Sequence, residues 1–70
     1  MKLEKTFIAH SAESFIDIVD SLAFDLTEKN IHCSFDTVNN EYWLLRLINK
    51  AFKRGVEQIT FTDGRKYINV

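Results

Sequence analysis

The side chains able to do chemistry in this chain are few: His10, His32 and Cys33, with Ser11 and Ser14 just after the first histidine. A thiol beside an imidazole can act as a nucleophile–base pair, and thiolate with imidazole is a zinc donor set. The spacing suits neither. His32 and Cys33 are neighbours in an alternating stretch, so on a strand they project to opposite faces. A structural zinc site takes four ligands, and there is no second cysteine to supply one. His10 reaches Cys33 only if the tertiary fold brings them together. Ser11 and Ser14 precede an apolar periodic run, where serine starts a helix. Glu13, Asp17 and Asp20 fall at i, i+4 and i+7, which makes a solvated acidic stripe on a convex helix rather than an acid–base pair. The expectation is a protein without catalytic residues, metal, cofactor or small-molecule substrate, which works by binding.

Seventy residues are enough for one compact domain, residues 1–70. A chain of this size buries only about 60% of its extended surface. Small domains often add a disulfide, a metal or a partner subunit, and a single cysteine rules out an intrachain disulfide. Apolar residues make up 46% and six are Phe, which argues for a folded core. There is no proline and only Gly55 and Gly64, so nearly every residue should belong to an element or a tight turn. No apolar run approaches a signal core or the ~18 residues of a membrane span. A cytoplasmic, reducing location without a membrane partner is therefore expected.

The elements that must position these residues follow from periodicity. "KLEKTFIA" alternates and predicts a strand over 2–9, with Leu3 and Phe7 on one face and Glu4, Thr6 and Ile8 on the other. The run from Ala12 to Asn30 has helical spacing: Phe15, Ile18, Val19, Leu22 and Leu26 share a stripe, Ser11 caps the start and Asn30 suits the end. "IHCSFD" predicts a half-buried strand over 31–36, with Ile31, Cys33 and Phe35 inward. A turn follows, in which Asn39 or Asn40 caps a second helix over 41–54 that Gly55 stops. Its apolar arc, from Trp43 to Phe52 and including Leu45, spans about 200°, roughly twice what one sheet face needs. Asp63-Gly64 predicts a two-residue hairpin with Ile59 opposite Ile68 and Thr60 opposite Tyr67. That register puts Ile59, Phe61, Ile68 and Val70 on the core face.

The order β-α-β-α-β-β gives an α+β fold: a four-stranded mixed sheet with two helices packed on one face. The other face is left open, lined by Thr6, His32, Ser34, Thr60 and Tyr67. This element order resembles that of Alba-type domains and initiation-factor carboxy-terminal domains, an architecture that often binds nucleic acid. Small sulfur-transfer proteins share the order, but their Cys-Pro-x-Pro motif is absent from a chain without proline. The likeness is one of element order, and fold alone does not fix function.

Net charge is −1, unevenly spread. Residues 10–36 hold six acids against one base, and residues 37–70 hold six bases against three acids. Two candidate surfaces result. The acidic one comprises Asp17, Asp20, Phe24, Asp25 and Glu28 on the first helix, an aromatic anchor in a polar rim that suits a protein partner. The basic one comprises Tyr42, Arg46, Lys50, Lys53 and Arg54 on the second helix, extended by Arg65 and Lys66 at the hairpin tip. It suits either a protein or a nucleic acid. A pI near 6.0 is far below that of a dedicated nucleic-acid binder, which favours the protein. The expected function is a small regulatory adaptor or inhibitor acting through its charged helix faces. Nucleic-acid binding is the alternative, and self-association through Trp43, Leu45 or Phe52 is a third possibility. Mutual neutralisation of the two charged halves within the fold is the competing expectation.

Overall fold

The computed structural model describes residues 3–23, 27–35 and 41–70. The elements are β1 (Glu4–Ala9), α1 (Ala12–Ser21), β2 (Glu28–Cys33), α2 (Glu41–Lys53), β3 (Val56–Phe61) and β4 (Lys66–Ile68). The strands lie in the order β1-β2-β3-β4. The first three are parallel and β4 returns antiparallel. This is the α+β fold that the periodicity predicts, with both helices on one face.

Alternation along the strands explains the core. Ala9, Ile31, Cys33, Val56, Ile59 and Phe61 turn toward the helices and meet Phe15 and Val19 of α1 and Leu44, Ile48 and Ala51 of α2. Burying a side chain the size of Phe, Leu or Ile contributes about 1.5–3 kcal/mol, so these contacts dominate folding. Val56 and Ile59 are three residues apart, yet both face inward. A bulge permits it: Lys29 stands opposite Val56 and Asn30 opposite Gln58, which leaves Glu57 as the extra residue on β3.

The start of α1 follows the sequence closely. The Ser14 N–H donates to Ser11 Oγ at 3.1 Å, and the Ser11 N–H donates to Ser14 Oγ at 2.9 Å, a reciprocal cap. Its end does not. The helix stops at Ser21, nine residues before Asn30. Asn30 instead sits in β2 opposite Thr6, and its side-chain amide donates to Glu4 Oε1 at 2.7 Å. The reason is reach. β2 must run beside β1 from Glu4 opposite Glu28 to Ala9 opposite Cys33, and the chain needs residues to return from the helix layer to the sheet. Helix and strand layers lie about 10 Å apart, and a helix extended to Asn30 would leave no chain for that return. Leu26 lies outside the described residues.

β2 therefore begins three residues earlier than predicted. Phe35, just past its end, still packs on the core, edge-on to Phe15 and Phe61 with ring centroids at 6.3 Å and 5.9 Å. Lys29 is only 3% exposed because it shares the inward face with Ile31 and Cys33. A Cβ built on Gly55 would lie 3.7 Å from its Nζ, which places the ammonium at the carboxy-terminal end of α2, where helix carbonyls favour a cation.

α2 matches its predicted span and ends at Gly55, whose φ of +96° is the left-handed turn that glycine adopts without steric cost. The Asn39 or Asn40 cap lies outside the described residues. The hairpin overturns the predicted register. The Gly64 N–H donates to Phe61 O at 3.0 Å, the Phe61 N–H donates to Arg65 O at 2.9 Å, and Gly64 has φ +97°. The loop is thus Thr62-Asp63-Gly64, a type I turn completed by a left-handed glycine. Asp63 holds it, accepting the Arg65 main-chain N–H at 3.0 Å. Ile59 now opposes Tyr67, and Gln58 opposes Ile68. A slip of one residue turns every β4 side chain over. Tyr67 packs on the core side, its ring centroid 6.0 Å from that of Phe61. Ile68 is 55% exposed, and Val70 is fully exposed.

Candidate functional site

The helical layer carries both charged surfaces, but not as two separate faces. Asp17 and Asp20 are exposed on α1. Glu28 is not on that helix; it is the first residue of β2, opposite Glu4. Phe24 and Asp25 lie outside the described residues. On α2, Tyr42 is 74% exposed, and the Arg46 guanidinium lies over its ring at 5.9 Å. Lys53 is exposed and Arg54 half-buried.

The two surfaces meet at one seam. Lys50 Nζ donates to Asp20 Oδ1 at 2.8 Å across the helices. That hydrogen bond, then the Lys50 charge and more weakly the Arg54 charge, hold the Asp20 carboxyl below its ordinary 3.8, against a small opposing desolvation. Both partners are about half exposed, so water screens the pair and its effect on stability is small. A folded-state pKa below the unfolded one adds stability above the unfolded value, lost as pH falls through the folded value. Thermal melts should show the wild type slightly above Asp20→Asn at neutral pH and low salt. The gap should close below pH ~4, where carboxylates protonate, and in high salt. A gap that persists in acid would mean that the pair does not act through charge.

The hairpin cations do not join the helix. Arg65 is tied to Asp63, Nε to Oδ2 at 3.0 Å. Lys66 opposes Thr60 and so lies on the open face of the sheet. α2 returns the chain to the start of β3, so its carboxy-terminal cations sit at the opposite end of the sheet from the hairpin tip. At 1.5 Å per residue the 13-residue helix puts Lys53 and Arg54 roughly 20 Å from the hairpin end. The predicted single basic patch is therefore broken: Lys66 lies on the other face of the sheet, and Lys53 and Arg54 lie at the far end from Arg65.

A groove runs along α2 between its apolar and charged strips. Trp43, Arg46, Leu47 and Lys50 line a hollow of ≈ 420 Å³. They stand at i, i+3, i+4 and i+7, one ridge of the helix. Trp43 and Leu47 are half-buried and packed against the core, while Arg46 and Lys50 are exposed at the rim. The wheel assigns the four residues to separate apolar and polar arcs; the groove is the boundary between those arcs. Beyond it, Leu45 is 48% exposed, surplus from the wide apolar arc. A second hollow of ≈ 510 Å³ lies on the other flank, where Asn49, Phe52 and Lys53 meet Ile68, Asn69 and Val70.

The open face of the sheet has a different character. Thr6, Ile8, Asn30, His32, Gln58, Thr60, Lys66 and Ile68 share it by register. His32 Nδ1 is 3.0 Å from Thr60 Oγ1, and His10 Nδ1 is 3.1 Å from Ser34 Oγ. With Tyr67 turned to the core, none of the strand residues on this face is an aromatic on which a base could stack. Cys33 faces the other way. It is buried, desolvation pushes its thiol up to about 12, and His10 is engaged with Ser34 rather than with it. Among the described residues no three His, Cys, Asp or Glu side chains converge as metal ligands, and no helix is long and apolar enough to cross a membrane. No family model, curated protein or solved structure matches the chain, so its own geometry is what speaks to function.

Proposed function

We propose that this chain is a binding module without catalytic activity, a small regulatory adaptor or inhibitor that takes a protein partner on the outer surface of its helical layer. One observation carries the reading: the α2 groove, where Trp43 and Leu47 form an apolar floor beside Arg46 and Lys50. An aromatic at the base of a hollow with cations at its edge is the anatomy of a protein-binding hot spot. Exposed Tyr42 and Leu45 widen the apolar area around it. The adjoining acids of α1, Asp17 and Asp20, make the surface bipolar, which suits a partner with charges of both signs and gives the contact its orientation. Nucleic acid is less well supported. Phosphate binding rewards a continuous run of cations, whereas Lys50 is neutralised by Asp20, Arg65 is tied to Asp63 and Lys66 faces the far side of the sheet.

The test is affinity capture with the purified wild type and two charge-reversed variants. Arg46→Glu should weaken the captured partner about tenfold or more, and Lys66→Glu should leave it unchanged. A partner indifferent to Arg46→Glu would remove the groove from the reading. Anisotropy titrations with duplex and single-stranded oligonucleotides at two salt concentrations supply the other arm. Tight binding with a steep salt slope that Arg46→Glu abolishes would replace the protein reading with the nucleic-acid one.

A further inference from the structure

The sheet has two edges, and they are treated differently. β4 is three residues long and carries Lys66, both of which discourage edge pairing. β1 is six residues long, without proline or bulge. Its hydrogen-bond parity can be read from its ends. The Glu28 N–H donates to Leu3 O and the Ser34 N–H donates to Ala9 O. In a parallel ladder such residues turn both main-chain groups to the neighbour, so Leu3, Lys5, Phe7 and Ala9 face β2. Glu4, Thr6 and Ile8 therefore point their N–H and C=O groups out of the sheet edge, where no main-chain bond from another described residue reaches them. The charges that usually guard an edge are drawn off it. Glu4 is held by Asn30 at 2.7 Å, and the Lys5 ammonium lies over the Phe7 ring at 5.0 Å. Ile8 remains 56% exposed.

We infer that this edge pairs antiparallel with the same edge of a second copy of the chain, Phe7 opposite Phe7, to make one continuous eight-stranded sheet. Parity fixes much of the geometry. Outward-pointing residues must oppose outward-pointing residues, so only registers centred on a single residue, rather than between two, allow hydrogen bonds. Opposed residues then lie on the same face, and the two helical layers share one side. Centring on Lys5 sets like charges against each other. Centring on Thr6 sets the Glu4 carboxylate against Ile8. Centring on Phe7 exchanges main-chain hydrogen bonds between Thr6 and the Ile8 of the second copy. It brings the two Phe7 rings together at a non-hydrogen-bonded position, where side chains approach closest. It also sets Glu4 opposite His10 of the second copy at both ends, a complementary pair. This surface is made by β1 and shares no residue with the α2 groove, so the two readings stand or fall separately.

Sedimentation equilibrium of the whole chain over the micromolar to millimolar range tests it. The mass should climb from 8.2 kDa toward twice that value. Thr6→Pro should remain at 8.2 kDa over the same range with an unchanged circular dichroism spectrum, because the N–H it removes has no partner among the described residues. Amide exchange on the wild type reads the same edge without a substitution: Thr6 and Ile8 should gain protection as concentration rises. A wild type that stays monomeric overturns the inference, as would occur if the edge takes a strand from a different protein instead. So does a dimer that survives Thr6→Pro, or a dimer whose Thr6 and Ile8 amides exchange no more slowly than in the monomer. If Thr6→Pro does not fold, the amide exchange decides.

Discussion

Phe15→Ala should strip the protein of a third or more of its stability in water at 25 °C. Phe15 has no exposed surface, joins α1 to the sheet, and sets its ring edge-on to Phe35. Truncating a buried Phe to Ala costs about 3–5 kcal/mol, the sum of lost transfer energy and the cavity left behind. At roughly 0.05–0.15 kcal/mol per residue, a chain of this length has only about 4–10 kcal/mol in total. The substitution therefore removes a third or more of the stability and, at the lower end, nearly all of it. Urea titration followed by far-ultraviolet circular dichroism should show a shortened or missing native baseline. Phe15→Leu, which fills most of the volume, should retain a cooperative transition. A loss below about 1 kcal/mol for Phe15→Ala would contradict its place at the centre of the core.

The second expected result is a contrast between neighbours. Tyr67→Ala should cost about 2 kcal/mol, whereas Ile68→Ala should fall within about 0.5 kcal/mol of wild type. Tyr67 packs its ring on Phe61 from the inner face of β4, while Ile68 stands on the open face with over half its surface in water. The comparison reads the hairpin register directly. A two-residue turn would reverse the order, because it puts Ile68 against Ile59 in the core and Tyr67 outside. Paired urea titrations at equal concentration measure both, and Ile68→Ala as the more damaging change would restore the shorter turn.

Much of the architecture was legible because it depends on short-range repetition. Alternation in "TFIA" and "IHC", the serine cap before Glu13, and Gly55 after a helical run each act over a few residues. Their physics is the same in any fold. Element order, and with it the α+β class, followed from these. The misreadings occurred where a local pattern was compatible with two outcomes. Leu22 continues the stripe of α1, so periodicity alone could not end the helix at Ser21. The return of the chain to a strand alongside β1 ended it. Asp63-Gly64 fits a two-residue turn as well as the last two positions of a three-residue loop. The choice went to the loop in which Tyr67 reaches Phe61 and Asp63 caps Arg65.

The candidate surfaces divide the same way. Types and spacing alone determined that Arg46, Lys50 and Lys53 lie on the polar side of α2 and that Asp17 and Asp20 lie on the polar side of α1. Only the tertiary structure decided that Asp20 meets Lys50, that Glu28 belongs to a strand, that Lys66 lies on the sheet face away from the helix cations and that Arg65 pairs with Asp63. It also turned Lys29 inward and left the outer groups of Glu4, Thr6 and Ile8 without a main-chain partner among the described residues. A helical wheel or an alternating strand fixes the direction of each side chain relative to its own axis. Which axis lies beside which, and in what register, is set by contacts between residues far apart in sequence, and no local repeat encodes that distance.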